Sequence, residues 1–328
     1  MSASAHPVSL RRLALLAMTL FPAAAAFAQT WPTKPVRIIA PFAPGGSADT
    51  LGRLISLKLS DALKQSFVIE NRAGAGGTVG ADLVAKAAPD GYTLVISGVA
   101  SHVIGPALSK SVPFDPIRDF SHIALIGGPP IALVINPAVP AQNLKEFVAF
   151  VKGGASPLPY ASPGAGTQGH LIGELLQQAA GIRMTHVSYK GAGLAVGDLA
   201  ANHLQAGSFT LNTASGQLRA GRIRALAFTS QSRIADYPEV PTFRELGYPQ
   251  LVATTWFSLS GPAHLPADIV SRLNTEVRKA LQLADVRERF RAEGIESSDY
   301  DVAAFNRFVA EETARWAPIV RASGARAD

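Results

Sequence analysis

The chain contains no cysteine and only three methionines among its 328 residues. Without thiols it can form no disulfide, no thiolate metal site and no cysteine nucleophile. A chain of this length can be stabilised by a large core instead of by cross-links. The sequence therefore excludes the small disulfide-rich secreted proteins and the cysteine-dependent enzymes.

Clustered histidines are also lacking. The six histidines after residue 28 stand alone in the sequence, and no H-E-x-x-H pattern or close pair occurs. The turn at Gly45-Gly46 does not match the G-x-G-x-x-G nucleotide pattern, and no G-x-x-x-x-G-K-[ST] loop is present. We therefore expect neither a metal nor a cofactor.

Charged residues make up only 16% of the chain, and the formal net charge is +6. The basic residues are scattered, apart from small clusters at Arg219, Arg222 and Arg224 and at Arg287, Arg289 and Arg291. The spacing of the second cluster spreads its charges around a helix, which is typical of a solvated face. No stripe interleaves basic and aromatic residues, so no nucleic-acid partner is predicted.

The first 28 residues are typical of an export signal. Arg11 and Arg12 precede an apolar stretch from Leu13 to Phe27, and Ala26-Phe27-Ala28 matches an A-x-A cleavage site. The stretch is short for a membrane span and is interrupted by Pro22. An uncleaved anchor is the alternative, and the paired arginines leave open whether export follows the Sec or the twin-arginine route. We predict a cleaved signal peptide at residues 1–28 and a periplasmic mature protein.

Short apolar runs alternate with helical runs along the rest of the chain. The 300 residues from Gln29 onwards suggest two domains. Strand-helix alternation predicts an α/β protein whose sheets are mainly parallel and covered by helices on both faces. We place lobe 1 at residues 29–129 plus 255–328 and an inserted lobe 2 at residues 130–254, with a hinge at the two crossings.

Two glycine-rich turns each follow a predicted strand and precede a predicted helix. The first runs from Pro41 to Asp49 and the second from Ser162 to Thr167. The first backbone N–H groups of a helix have no internal partner and favour anions, and glycine lets a ligand approach closely. Either turn alone could be a plain strand-helix connection. Together they predict one carboxylate held between two lobes.

The motifs between Trp31 and the C-terminal helix resemble those of the Bug family, the extracytoplasmic solute receptors of tripartite tricarboxylate transporters. The matching pieces occur in order along nearly the whole mature chain: Trp31-Pro32-x-Lys34-Pro35-Val36-Arg37, Pro41-Phe42-x-Pro44-Gly45-Gly46 with Asp49, Val68-Ile69-Glu70-Asn71-Arg72-x-Gly74-Ala75-Gly76-Gly77, Pro89-Asp90-Gly91-Tyr92-Thr93-Leu94, Phe114-Asp115-Pro116, Asp119-Phe120, Tyr189-Lys190-Gly191, Asp198-Leu199, Val240-Pro241-Thr242-Phe243-x-Glu245-x-Gly247 and Gly261-Pro262-Ala263. The resemblance implies a two-lobed periplasmic binding protein of the Venus flytrap type II class that closes around a small carboxylate.

The resemblance also implies ligand contacts, made chiefly by main-chain groups and ordered water. In lobe 1 they fall on Phe42, Pro44, Gly45, Gly46 and Ser47, and in lobe 2 on Ser162, Gly164, Ala165, Gly166 and Thr167. Tyr189 and Lys190 would lie at a strand end near the ligand, although Lys190 could instead pair with a carboxylate of the protein.

One segment departs from the family pattern. Relatives carry acidic residues where this chain has Gln205 and Phe209. We expect Phe209 to add an apolar or stacking wall to the ligand site. The change argues against a ligand that bears an ammonium group.

From these expectations we predict that the protein is a monomer that captures a small organic acid and presents it to membrane permease subunits. The alternative is a sensor subunit that docks on a receptor kinase. An enzyme is disfavoured because no G-x-S-x-G elbow is present, although Ser162 with His170 or His186 could be read as a hydrolase pair.

Overall fold

The computed structural model describes residue 2 and residues 31–325. The predicted signal peptide, apart from Ser2, lies outside the described residues. Within the described part of the chain, no helix is both long enough and apolar enough to cross a membrane.

The first sheet has five strands in the order β2-β1-β3-β10-β4. Its strands are β1 (Val36–Ala40), β2 (Phe67–Asn71), β3 (Thr93–Gly98), β4 (Phe120–Gly127) and β10 (Phe257–Pro262). The same half of the molecule contains a π-helical segment at Ala100–Ile104 and the helices α1 (Ser47–Leu63), α2 (Thr78–Ala85), α3 (Gly105–Leu108), α8 (Ala267–Leu281), α9 (Ala284–Ala292) and α10 (Val302–Ala322). Val36, Ile38 and Leu51 are fully buried, so the apolar face of α1 and the strands form one core.

The second sheet also has five strands, in the order β7-β6-β8-β5-β9. Its strands are β5 (Ile131–Ile135), β6 (Leu158–Ser162), β7 (Met184–Ser188), β8 (Ala206–Thr210) and β9 (Arg224–Phe228), with helices α4 (Leu144–Gly153), α5 (Gln168–Ala180), α6 (Ala192–Ala200) and α7 (Leu211–Arg219). All five residues of β5 are buried, as expected for a central strand covered on both faces.

Each sheet contains one strand that runs against the other four. In the first sheet β10 pairs antiparallel with β3 and β4, and in the second β5 pairs antiparallel with β8 and β9. Both reversed strands come directly after the chain passes from one sheet to the other. The sheets are therefore mixed, and the expectation of mainly parallel strands holds for four of the five strands in each.

Two chain segments run side by side where the sheets meet. An isolated antiparallel bridge joins Pro130 to Thr254, and Gly128 bridges Glu296. A Cβ on Gly128 would lie 1.5 Å from the carbonyl oxygen of Thr255, so only glycine allows these segments to touch. The chain passes between the sheets after β4 and again before β10, close to the predicted lobe boundaries. The boundaries and the hinge stay predictions, which the assignment of strands to the two sheets supports.

The C-terminal helix α10 joins the two halves. It packs against β4, α3 and the π-helical segment, and its end accepts a 2.8 Å hydrogen bond from Gln178 of α5 to the carbonyl of Ser323. Near its middle, one oxygen of the buried Glu312 accepts bonds from the indole nitrogens of Trp256 and Trp316, each at 3.0 Å. Because Trp256 lies on the returning crossing, Glu312 ties α10 to the hinge region.

Replacing Glu312 by Gln should lower the free energy of unfolding by about 1 kcal/mol. The amide oxygen can still accept from both indoles. The variant loses the ion pair with Arg315, in which Arg315 Nε lies 2.7 Å from Glu312 Oε1. Urea unfolding followed by tryptophan fluorescence measures the change. A loss of several kcal/mol would mean that the charge, and not the acceptor, holds the two indoles.

Candidate functional site

Each glycine-rich turn lies at the carboxyl end of a strand, β1 in the first sheet and β6 in the second. The first turn follows β1 and leads into α1, and the second follows β6 and leads into α5. Open α/β sheets place ligands outside the carboxyl ends of their strands. The turns therefore bring the starts of two helices, one from each half, to the same region.

A small cavity of about 50 Å³ lies between these helix starts. We call it the central cavity. It is lined by Phe42 and Gly46–Ala48 from the first turn, by Thr167–Gly169 from the second, and by Ile96–Ser101 and Thr255–Phe257 from the first half, with Ile131, Pro163, Ala192 and Thr210. None of these lining residues carries a charge. An anion here would be held by dipoles and hydrogen bonds alone.

A second, larger space of about 590 Å³ lies beside it. We call it the outer groove. One wall consists of the loop Gly74–Thr78 with Gly105, Leu108, Ser109, Ser111, Val112 and Pro113, and the other of Gly164–Gly166 with Ser188–Lys190. Phe42 and Pro163 line both spaces.

The thirteen predicted ligand residues divide among these places. Phe42, Gly46, Ser47 and Thr167 line the central cavity. The outer groove is lined by Phe42, Gly164, Ala165, Gly166, Tyr189 and Lys190. Pro44, Gly45, Ser162 and Phe209 line neither.

Asp49 organises the first turn. Its carboxylate accepts from the backbone N–H of Gly45 at 3.1 Å, from the amide of Asn71 at 3.0 Å and from Arg53, whose NH2 lies 2.9 Å away. Burial raises the pKa of Asp49, but the hydrogen bonds from Arg53, Gly45 and Asn71 and the charge of Arg53 outweigh it and hold the pKa below its usual 3.8. The N–H of Gly45 is therefore already bonded, and Asp49 orients the turn.

The next N–H groups of α1 are available instead. The N-terminus of α1 has no side-chain cap, and its first intrahelical bond links Thr50 N–H to the carbonyl of Gly46. The N–H groups of Ser47, Ala48 and Asp49 thus have no intrahelical acceptor. Ser47 and Ala48 line the central cavity, so the positive end of this 17-residue helix faces it.

The Ser47 hydroxyl makes contact across the two halves. It donates to Oδ1 of Asn212 at 2.6 Å and lies 2.6 Å from Oγ1 of Thr210. Because a hydroxyl has one proton, Thr210 must donate to Ser47. Nearby, the N–H of Ala43 donates to the carbonyl of Lys190 at 2.9 Å. The two halves are closed on each other at the first turn.

The second turn uses its own N–H groups internally. Gly164 N–H donates to Ser162 Oγ at 3.2 Å, Ala165 N–H to Ser188 Oγ at 2.9 Å, and Gly166 N–H to His170 Nδ1 at 3.2 Å. The expectation that these amides are free for a carboxylate is therefore wrong for this closed arrangement. They shape the turn, and the cavity-lining residues Thr167, Gln168 and Gly169 follow directly after Gly166.

Gln168 is the group that sequence reasoning missed. It is the first residue of α5, follows the N-cap Thr167, and lines the central cavity. The residue is 2% exposed, and neither its side-chain oxygen nor its side-chain nitrogen has a hydrogen-bond partner. Native structures seldom leave a buried amide unsatisfied, so this residue needs an explanation. In sequence, a glutamine at a helix start looks like a solvated surface residue.

Ser162 forms hydrogen bonds within the second turn and with β7. It is fully buried, its hydroxyl lies 2.7 Å from His186 Nε2, and it also bonds Gly164. His186 stacks on His170 with ring centroids 3.9 Å apart. Its burial and its hydrogen bonds disfavour Ser162 as a nucleophile.

Tyr189 and Lys190 occupy the outer groove. The Tyr189 hydroxyl donates to Asp198 at 2.5 Å, and burial together with the nearby Asp198 carboxylate raises the pKa of Tyr189 to about 12. Lys190 is exposed, and no carboxylate within residues 31–325 lies within 4 Å of its ammonium group. The alternative pairing of Lys190 with the protein is not seen in this part of the chain.

Phe209 and Gln205 lie elsewhere. Phe209 is fully buried in the core between Ala132, Val134 and the helices of the second half. Gln205 precedes β8 and is exposed, at the end of the strand opposite Thr210. The expected stacking wall at Phe209 is therefore wrong, because Thr210 and not Phe209 reaches the cavity.

The loop Gly74–Gly77 meets the second turn. A Cβ on Gly76 would lie 2.3 Å from the carbonyl oxygen of Ala165, and Gly76 has a left-handed φ of +62°. The loop follows β2 and leads into α2, so it is a strand-to-helix turn. It also forms a contact surface between the halves.

The spacing Gly164-x-Gly166-x-x-Gly169 matches a dinucleotide pattern after a strand. Its glycines serve packing here: a Cβ on Gly169 would lie 2.3 Å from the carbonyl of Ser208. A dinucleotide site would need an acidic residue at the end of the next strand to bind the ribose, and that strand ends at Ser188 without one. The match indicates a tight helix-strand contact.

Known proteins resemble this chain in sequence and in fold. BugT of Bordetella pertussis is 37% identical over 305 residues, which cover 93% of this chain and 94% of the relative. The R. palustris protein Rpa4515, solved with adipate, is 32% identical with a TM-score of 0.87 and coverage of 90% and 99%. MatC of Rhodopseudomonas palustris, solved with bound malate, is 32% identical with a TM-score of 0.84 and coverage of 88% and 100%.

Residues 51–325 also match the TctC family, described as the tripartite tricarboxylate transporter family receptor. The likeness to the solved structures confirms the two-lobed periplasmic-binding-protein fold. The family consists of solute-binding receptors and not of enzymes. The chain thus belongs to the TctC receptors, which include the Bug proteins, as its motifs predicted.

Proposed function

We propose that this chain captures a small organic acid between its lobes in the periplasm and delivers it to the membrane permease of a tripartite tricarboxylate-type transporter. The observation that supports this proposal most directly is the central cavity, which is lined both by Ser47 and Ala48, whose N–H groups are uncapped, and by the start of α5. Main-chain dipoles of this kind bind anions without a charged side chain.

The relatives support a carboxylate as the ligand class. Adipate and malate occupy the two R. palustris proteins named above. In this chain Phe42, Gly46, Ser47 and Thr167 are the predicted contacts that line the central cavity, and we add Ala48 and Gln168 to them. Bridging waters can complete the shell of a polar ligand. Closure over the acid would then present one shape to the permease.

Titration calorimetry with a panel of mono-, di- and tricarboxylates tests the capture step, after mass spectrometry has identified any acid that co-purifies. Gly46→Val should weaken binding at least about tenfold, because its methyl groups would fill space beside the α1 N–H groups. Gly197→Val, where a Cβ meets nothing within 4 Å, is the matched control.

Failure of every acid to bind would contradict capture. Equal affinity of Gly46→Val and the wild type would move the site away from α1. Uptake of the bound acid by cells, with and without the gene, tests delivery; unchanged uptake without the gene would contradict it.

A further inference from the structure

The Gln168 side chain is a buried amide that lacks partners in a wall otherwise built from apolar groups, hydroxyls and backbone. Its oxygen and its nitrogen are both shielded and both unbonded. The residue itself is only 2% exposed. Leaving such a group unsatisfied opposes closure, and a ligand that satisfies it favours the closed form.

Gln168 and the α1 N–H groups reach the central cavity from different halves of the molecule. Ser47 and Ala48 belong to the first turn, and Gln168 begins the helix that follows the second. A carboxylate bound by the α1 N–H groups therefore leaves Gln168 to meet another part of the same ligand. The cavity is also lined by Phe42, Ile96 and Trp256, which suit a short methylene chain.

The chemistry of an amide narrows what that part can be. Gln168 offers two N–H donors and one acceptor. A second carboxylate only accepts, so it would leave the Gln168 oxygen unpaired. An ammonium group only donates, and no lining residue carries a negative charge to balance it. A carboxamide or a hydroxyl both donates and accepts, so it can pair with both the oxygen and the nitrogen of the side chain.

We propose that Gln168 is a specificity-determining residue that selects monocarboxylates bearing an uncharged carboxamide or hydroxyl group. This inference rests on the proposed function, since it assumes that the carboxylate lies at α1. It excludes dicarboxylates and amino acids as preferred ligands. A site built to bond a polar group discriminates strongly against analogues that lack it.

Two matched series of acids test the proposal by titration calorimetry. The four-carbon series is succinamate, 4-hydroxybutyrate, succinate, 4-aminobutyrate and butyrate, and the six-carbon series has the same end groups on a hexanoate chain. Within at least one series, the amide or hydroxyl acid should bind about tenfold or more tightly than its dicarboxylate, amino and unsubstituted partners.

The variant Gln168→Met keeps the length of the side chain and removes its polar atoms. It should abolish the preference for the amide over the unsubstituted acid while the unsubstituted acid still binds. Gln168→Glu, which places a carboxylate at a favourable helix start, should weaken every acid about tenfold or more and serves if the methionine variant does not fold. Gln205→Met, at an exposed glutamine, is the control.

The outcomes separate this inference from the proposed function. A dicarboxylate that binds as tightly as the monoamide, or a preference that survives Gln168→Met, would overturn the role of Gln168 and leave carboxylate capture standing. Absence of binding by all acids of both series would overturn the proposed function, and the inference would fall with it.

Discussion

Alanine at Gly76 should abolish tight ligand binding, whereas alanine at Gly181 should leave it unchanged. Both glycines have nearly the same left-handed backbone, with φ of +62° and +61°. Each substitution therefore carries the same backbone strain of about 1–2 kcal/mol. Only at Gly76 would the new Cβ strike the opposite lobe, 2.3 Å from the carbonyl of Ala165, while at Gly181 nothing lies within 4 Å.

A clash with backbone cannot be relieved by rotating a side chain, so the lobes of Gly76→Ala must stay apart. Apparent affinity falls with the fraction of protein that can close, and we expect a loss of about a hundredfold. Calorimetry with the acid that the wild type binds gives the affinity, and small-angle scattering should show an open shape that the acid does not compact. Equal affinities for the two variants would contradict closure through this contact.

The same requirement recurs at the first turn. A Cβ on Gly193 would lie 2.8 Å from the carbonyl of Pro44, and one on Gly191 would lie 3.0 Å from the N–H nitrogen of Ala43. Glycines therefore lie on both lobes at the places where the lobes contact each other. Many of the motif glycines fit this role, since they allow backbone to meet backbone on closure.

The sequence was sufficient for the parts of the fold that depend on local patterns. The short apolar runs Val36–Ala40 and Ile131–Ile135 are strands, as the alternation of apolar and helical runs predicts. The helix Leu211–Arg219 was missed, because Asn212, Thr213, Ser215 and Gly216 are weak helix formers and the helix depends on tertiary packing. The reversed direction of β5 and β10 was not predicted, since strand direction is set by the crossings and not by composition.

The candidate site was predicted to the level of the turns but not of the atoms. Which N–H groups are free depends on partners distant in sequence, such as Ser188 for Ala165. Phe209 was placed at the ligand because a family position suggested it, whereas the strand directs Thr210 to the cavity. No sequence pattern singled out Gln168, and it became a candidate only because its side-chain amide is buried without hydrogen-bond partners.

Two buried histidines behind the central cavity should make the fold sensitive to mild acid. His122 donates through Nε2 to the carbonyl of Pro116 at 3.0 Å, so its Nδ1 must accept from Ser260 at 3.2 Å. His102 bonds the cavity-lining Ser101 through Nδ1 at 2.9 Å, and its ring packs 4.4 Å from that of Phe120. Neither environment supplies an anion that would stabilise a protonated ring.

Burial lowers the pKa of His122 from 6.5 to about 4, and burial together with the proximity of His122 holds the pKa of His102 well below 6.5. In the unfolded chain both rings protonate near pH 6.5. Between about pH 6.5 and pH 4 the unfolded state therefore binds more protons than the native state, so stability is complete above pH 6.5 and falls as the pH is lowered.

Urea unfolding at half-unit steps from pH 7 to pH 5 measures this slope before most carboxylates protonate. Each histidine contributes up to about 1.4 kcal/mol per pH unit, and His122 alone should lower the free energy of unfolding by about 3 kcal/mol once pH 4 is reached. His122→Gln keeps an amide donor and acceptor but cannot titrate, so it should flatten the slope by about one proton. An unchanged slope in His122→Gln would mean that this ring takes up its proton in the folded protein, which its burial and its two hydrogen bonds oppose.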